Sequence, residues 1–120
     1  MIRLATIGTS TITRNLSSAV DLAEGIAITA VYSRDVERGR AFAESLGVAT
    51  VFSDLDELLA SPDIDAVYVA SPNTVHESQA LAAIRAGKHV LVEKPAVTNA
   101  EAWAGLCLQA REQGVVLLEA

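Results

Sequence analysis

Six short apolar runs alternate with five amphipathic segments along the chain, and this alternation predicts its elements. The runs are Ile2–Ile7, Ile26–Tyr32, Thr50–Phe52, Ala66–Ala70, His89–Val92 and Val115–Leu118. Most have apolar side chains on both faces, as strands covered by helices on each side must. Between them the period lengthens. Ile12, Leu16, Ala19 and Val20 share one helical face at i, i+4, i+7 and i+8. Ala80, Leu81 and Ile84 do the same in the fourth segment, and Trp103, Leu106, Cys107 and Ala110 in the fifth.

Punctuation between the segments agrees with this reading. Thr74-x-x-Glu77 and Thr98-x-x-Glu101 are capping boxes and Asp54-x-x-Glu57 is a close variant. Gly47, Gly87 and Gly114 stand where a left-handed residue closes a helix. Strict strand–helix alternation implies right-handed crossovers and an α/β fold with a doubly wound, six-stranded parallel sheet. The predicted strand order is 3-2-1-4-5-6.

Composition narrows the class without changing the architecture. With 51% apolar and 20% charged residues, the 120-residue chain is one globular domain. It is large enough to bury roughly 65% of its extended-chain surface. A net charge of -6 opposes binding to a nucleic-acid backbone, yet leaves room for one phosphate in a local basic pocket. No apolar run approaches the roughly 18 residues of a membrane span, and the N-terminus lacks a signal-peptide core. Cys107 is alone, which excludes an intrachain disulfide and fits a reducing cytoplasm. It is expected to pack as a small helix hydrophobe. The last strand stops two residues short of Ala120. Residues 1–120 are therefore expected to be one domain of a longer protein.

In an open parallel sheet, ligands bind beyond the carboxyl ends of the strands. After the first strand stands Gly8-Thr9-Ser10-Thr11-Ile12-Thr13, where a dinucleotide fold carries G-x-G-x-x-G/A. Only the first glycine is kept, and a plain strand–helix turn also fits the pattern. Small residues at the other two places still permit close approach of a phosphate. The helix start would face a pyrophosphate with its amides and a dipole worth about 0.3–1 kcal/mol, and the Ser10 and Thr11 hydroxyls add donors. After the second strand an NAD-preferring domain offers a carboxylate to the ribose. Here Ser33 is followed by Arg34, Asp35 and Arg38. Arg34 and Arg38, four apart, can converge on a 2′-phosphate, whereas Asp35 keeps NAD open; a solvated helix start is the competing reading.

Ser71, Asn73 and His76 follow the fourth strand beside the topological switch point, where Asn73 and His76 could bond ribose hydroxyls. A turn-and-cap role accounts for Ser71 to Thr74 as well. His89 has no assigned role. Glu93, Lys94 and Pro95 stand just past the fifth strand, with the lysine placed to touch a substrate. No metal-ligand constellation is read.

Taken together, these residues resemble the N-terminal domain of the glucose–fructose oxidoreductase/inositol dehydrogenase family, built on a Rossmann fold. The resemblance spans Ile7-Gly8 to Val115-Leu118. It is carried most specifically by Asp65-Ala66-Val67-Tyr68-Val69, Asn73-x-x-His76 and Ala86-Gly87-Lys88-His89-Val90-Leu91-Val92-Glu93-Lys94-Pro95. It implies that Lys94 is catalytic and bonds the reacting oxygen. It places Gly8, Ser10, Thr11, Ile12, Ser33, Arg34, Arg38, Asn73, His76 and Glu93 at cofactor-contact positions, and Ser71 joins them from the switch-point loop. The absent glycines are similar to the anhydrofructose reductase-like branch, and Leu117-Leu118-Glu119-Ala120 resembles the dihydrodiol and sugar dehydrogenase branch. Both favour NADP over NAD. The implied activity is hydride transfer between nicotinamide and a sugar, polyol or dihydrodiol-type substrate. A second, mainly antiparallel domain would supply substrate contacts, an acid/base partner and the surface of a homo-oligomer. The rival readings are a non-catalytic dinucleotide-sensing regulator and a domain for a flavin or another nucleotide. An intact Glu93-Lys94-Pro95 weighs against the first, and its pairing with Asn73 and His76 against the second.

Overall fold

A computed structural model describes residues 1–120. Its strands are β1 (Ile2–Ile7), β2 (Ile26–Tyr32), β3 (Thr50–Phe52), β4 (Ala66–Val69), β5 (His89–Val92) and β6 (Leu117–Glu119). The helices are α1 (Thr11–Val20), α2 (Val36–Leu46), α3 (Leu55–Ala60), α4 (His76–Arg85) and α5 (Ala100–Gln113), with a 3₁₀ turn at Asn73–Val75 leading into α4. The strands form one parallel sheet in the order β3-β2-β1-β4-β5-β6, as the alternation predicts. Leu4 to Ile7 and all of β4 are buried, so the strands most apolar on both faces take the centre.

Helices cover both faces. Val20 of α1 clusters with Leu4, Ala66, Tyr68 and Ala70, and Phe42 and Ala43 of α2 cluster with Val31. The larger core is on the other face, where Ile7, Val67, Val69 and Val92 meet Leu58 of α3, Ile84 of α4 and Leu106 of α5. Each such aliphatic side chain contributes about 1.5–3 kcal/mol on full burial. No helix is long and apolar enough to cross a membrane.

Five local expectations are corrected. The inward face of α1 is Thr13, Ser17 and Val20 with Leu16 half-buried, while Ile12 is 41% exposed and Ala19 is exposed. Because α1 begins three residues after Gly8, its first turns lie close to the sheet and small side chains fit there. Asp54 caps α3 as expected, bonding the Asp56 and Glu57 amides at 2.8 and 3.2 Å. The cap of α5, however, is Asn99 rather than Thr98, accepting from the Ala102 amide at 2.8 Å. α4 has no side-chain cap, because the 3₁₀ turn continues directly into it. Finally, β6 starts at Leu117 rather than Val115. Val115 N–H is used by the Ala110 carbonyl at 3.0 Å in closing α5, and Val116 N–H donates to Nδ1 of His89 at 3.0 Å. His89 thus has a structural role the sequence did not reveal. β4 ends one residue earlier than expected, at Val69, although Ala70 N–H still donates to the Ile7 carbonyl.

The amino-terminal edge of the sheet is tied by charged side chains. Arg3 forks onto Asp65 through Nε and a terminal nitrogen at 3.0 and 2.9 Å, and its amide adds a bond at 2.8 Å. Hydrogen bonds from Arg3 hold the Asp65 carboxyl well below the usual carboxylate range. Buried Lys88 donates to the carbonyls of Ser61 and Ile64, both at 2.7 Å. The carboxyl edge is left for a site.

Candidate functional site

The turns after β1, β2, β4 and β5 open onto that carboxyl edge and line one cleft of about 920 Å³. Its walls include Gly8, Ser10, Ile12, Ser33, Arg34, Arg38, Ser71, Asn73, His76 and Glu93. Thr11 and Lys94 do not line it, and both are exposed.

Gly8 determines the floor. It has φ +121°, and a Cβ built on it would stand 2.5 Å from the Ala70 carbonyl oxygen. The ends of β1 and β4 can approach this closely only without a side chain there. At the start of α1 the amides of Thr13 and Arg14 return to the Ser10 carbonyl, whereas those of Thr11 and Ile12 have no partner in the chain. The Ser10 side chain makes no cap bond. Two amides and the positive end of a ten-residue helix therefore face the turn, an arrangement that suits a phosphate.

Ser33 is buried, and its amide donates to the Phe52 carbonyl at 3.0 Å. Asp35, kept open as a ribose ligand, is the N-cap of α2: its Oδ1 accepts from the amides of Glu37 and Arg38 at 3.0 and 3.1 Å. Arg34 and Arg38 are exposed and make no hydrogen bond or ion pair within the chain. Two unpaired guanidinium groups near the end of β2 provide the donors a 2′-phosphate needs; Asp35, which lines the cleft with them, has one carboxylate oxygen held by the helix cap and the other without a partner in the chain.

At the switch point the structure changes the reading of His76. The ring is 1% exposed; Nε2 lies 2.6 Å from the Ser71 carbonyl and Nδ1 lies 3.0 Å from the Pro95 carbonyl. Both partners are acceptors, so a ring with one N–H satisfies one of them and a ring with two satisfies both. Neither nitrogen is left for a ribose hydroxyl, although the ring's edge lines the cleft. Ser71 Oγ bonds Oε1 of Gln79, one helical turn beyond His76. Asn73 is exposed, with its side chain unpartnered.

Glu93 accepts a bond from the Tyr68 hydroxyl at 2.8 Å through Oε2, leaving Oε1 without a partner in the chain. Burial, then the neighbouring carboxylate, push the Tyr68 phenol well above the usual tyrosine range, so it remains a neutral donor. Tyr68 was named from sequence only as part of the Asp65–Val69 motif and was given no site role. Its signal was weak, a single polar atom in a strand buried on both sides. Tyr32, Thr74 and Gln79 also line the cleft and were likewise missed.

The Gfo/Idh/MocA family model, an oxidoreductase family with an NAD-binding Rossmann fold, matches residues 2–120. The chain is 50% identical over 121 residues to scyllo-inositol 2-dehydrogenase (NADP(+)) IolU of Bacillus subtilis, covering 100% of this chain and 37% of that protein. It is 44% identical over 117 residues to 1,5-anhydro-D-fructose reductase of Ensifer adhaerens, covering 98% and 35%. Among solved structures, the 3-ketoreductase KijD10 from Actinomadura kijaniata in complex with NADP superimposes with a TM-score of 0.91 at 38% identity, over 98% of this chain and 38% of that one. The chain thus spans about a third of the length of these relatives.

Proposed function

Since the chain belongs to the Gfo/Idh/MocA oxidoreductase family, we propose that it is the cofactor-holding part of an NADP-preferring enzyme. The proposed reaction moves a hydride between the nicotinamide and a carbon of a sugar, polyol or related secondary alcohol or ketone. Bound NADP would supply or accept that hydride. The chain's own residues bind and orient. Gly8 and the free amides of Thr11 and Ile12 hold the pyrophosphate, with Ser10 beside them. Ser33, Arg34 and Arg38 take the 2′-phosphate, and Ser71, Asn73 and the free oxygen of Glu93 face the ribose and nicotinamide side. Lys94 orients and polarises the reacting oxygen, while the proton passes through a group outside these residues. A homo-oligomer in the cytoplasm, built through those further residues, completes the proposal.

The observation that carries the NADP preference is the pair Arg34 and Arg38, two unpartnered guanidinium groups near the end of β2 against the single free oxygen of Asp35. The names of two relatives, an NADP(+) dehydrogenase and a reductase solved with NADP, support it. Arg38→Ala should weaken NADP(H) binding by about 1.5–3 kcal/mol, with much less effect on NAD(H). Calorimetric titration of both cofactors against both chains checks this. Equal weakening of the two would remove the phosphate role of Arg38.

A further inference from the structure

The turn that follows β5 is fastened at two successive residues by side chains from distant parts of the chain. His76, at the start of α4, sets Nδ1 3.0 Å from the Pro95 carbonyl and Nε2 2.6 Å from the Ser71 carbonyl, and it bonds both when each ring nitrogen carries an N–H. Glu119, at the end of β6, accepts the Ala96 amide at 2.9 Å through Oε2. The residue before the turn is fixed too, since Glu93 N–H donates to the Val69 carbonyl at 2.8 Å. Lys94 lies between these anchors. Its backbone is held on both sides, while its ammonium makes no bond within the chain. The contrast with Lys88, whose ammonium is committed to two carbonyls, is complete.

We propose that His76 and Glu119 are positioning residues for Lys94: together they clamp Pro95 and Ala96, so that a free ammonium is presented from a fixed backbone. This rests on the reading of Lys94 as the group that meets the reacting oxygen. A clamp is useful there because orientation contributes to rate only when the reacting groups are held in register. With an N–H on each nitrogen, His76 also ties the switch-point loop, through Ser71, to the lysine turn. The switch-point loop and the turn after β5 are thereby set at a fixed distance.

The chain has only two lysines, Lys88 and Lys94, which makes the test direct. Reductive ¹³C-methylation labels the Lys94 ammonium, and Lys94→Arg identifies its resonance. In the wild-type chain the Lys94 signal should move as NADP⁺ is titrated. Backbone order parameters at Lys94 and Ala96 should lie in the rigid range, about 0.85. Glu119→Ala, a change at an exposed position on an edge strand, should still bind NADP⁺. It should lose the Lys94 response, and its order parameters should fall toward the flexible range below about 0.6. Glu119→Gln keeps an acceptor for the Ala96 amide and should restore both. His76→Asn should act in the same direction, but its site is buried and the Glu119 pair carries the test if that variant does not fold. Wild-type response and rigidity persisting unchanged in Glu119→Ala overturns the positioning role alone. A wild-type chain that binds NADP⁺ while Lys94 stays silent overturns the reading of Lys94 at the reacting oxygen, and the positioning role with it.

Discussion

At Gly8 two constraints coincide: a positive φ that L side chains rarely adopt and a carbonyl oxygen 2.5 Å from where a Cβ would stand. Backbone cannot move aside as a flexible side chain can. Gly8→Ala should therefore cost about 1–3 kcal/mol from overpacking alone, with the unfavourable φ adding to it. Urea unfolding should show the loss, and dinucleotide affinity should fall because the β1–β4 gap widens. Wild-type stability with full affinity would show that the turn relaxes freely. Gly39 illustrates a residue whose purpose lies in its neighbours. A Cβ there would stand 3.0 Å from Ser33 Cβ and from Val51 Cγ1. Inside α2 such a glycine is less favourable than alanine by about 1 kcal/mol in intrinsic propensity, and close packing on Ser33 explains its place.

Among the elements, β1 and β4 are joined by the fork between Arg3 and Asp65. Because the folded carboxyl titrates below its ordinary range, the pair's stabilisation is present above the unfolded value of about 3.9. It is lost as pH falls through the lower, folded value. Asp65→Asn should be less stable than wild type at neutral pH and should lose less on acidification below about pH 4. Thermal midpoints across that range check the prediction, and parallel curves would assign the acid sensitivity to other carboxylates. Both side chains are about a third exposed, so added salt should narrow the difference.

For the whole molecule, the two edges of the sheet are used differently. Arg3–Asp65 and Lys88 satisfy polar groups at the amino edge, whereas the carboxyl edge keeps two free amides, two free guanidinium groups and one free ammonium. These unpartnered donors mark where a ligand with several anionic and hydroxyl groups gains most. The chain alone should bind NADP(H), and ligand at 100 times Kd should raise its stability by about 2.7 kcal/mol. It should turn over no sugar or polyol, since nothing in it forms a second wall against Lys94. In a protein of the relatives' full length, Lys94→Ala should lower kcat by about 10²–10⁴-fold while cofactor affinity stays within a few-fold. Steady-state rates and titrations on the pair check this; unchanged turnover would strip the lysine of its role.

The order of strands and helices, the parallel sheet and the edge that carries the cleft were legible from sequence, because periodicity, caps and crossover handedness are local or topological rules. Gly8 and Glu93 could be marked in the same way, since each follows directly on a strand whose end the fold exposes, and Arg34 and Arg38 because they lie in the turn and first helical turn after β2. Helix phase was not legible for α1: the apolar stripe through Ile12 pointed one way, and close packing of Thr13 and Ser17 on the sheet decided another. Nor were the partners of His76, Asp35, Tyr68, His89 and Glu119. Their bonds go to backbone or side-chain atoms 2 to 27 residues away. A sequence specifies that each carries a polar atom, and only the packed chain specifies which other polar atom lies within reach.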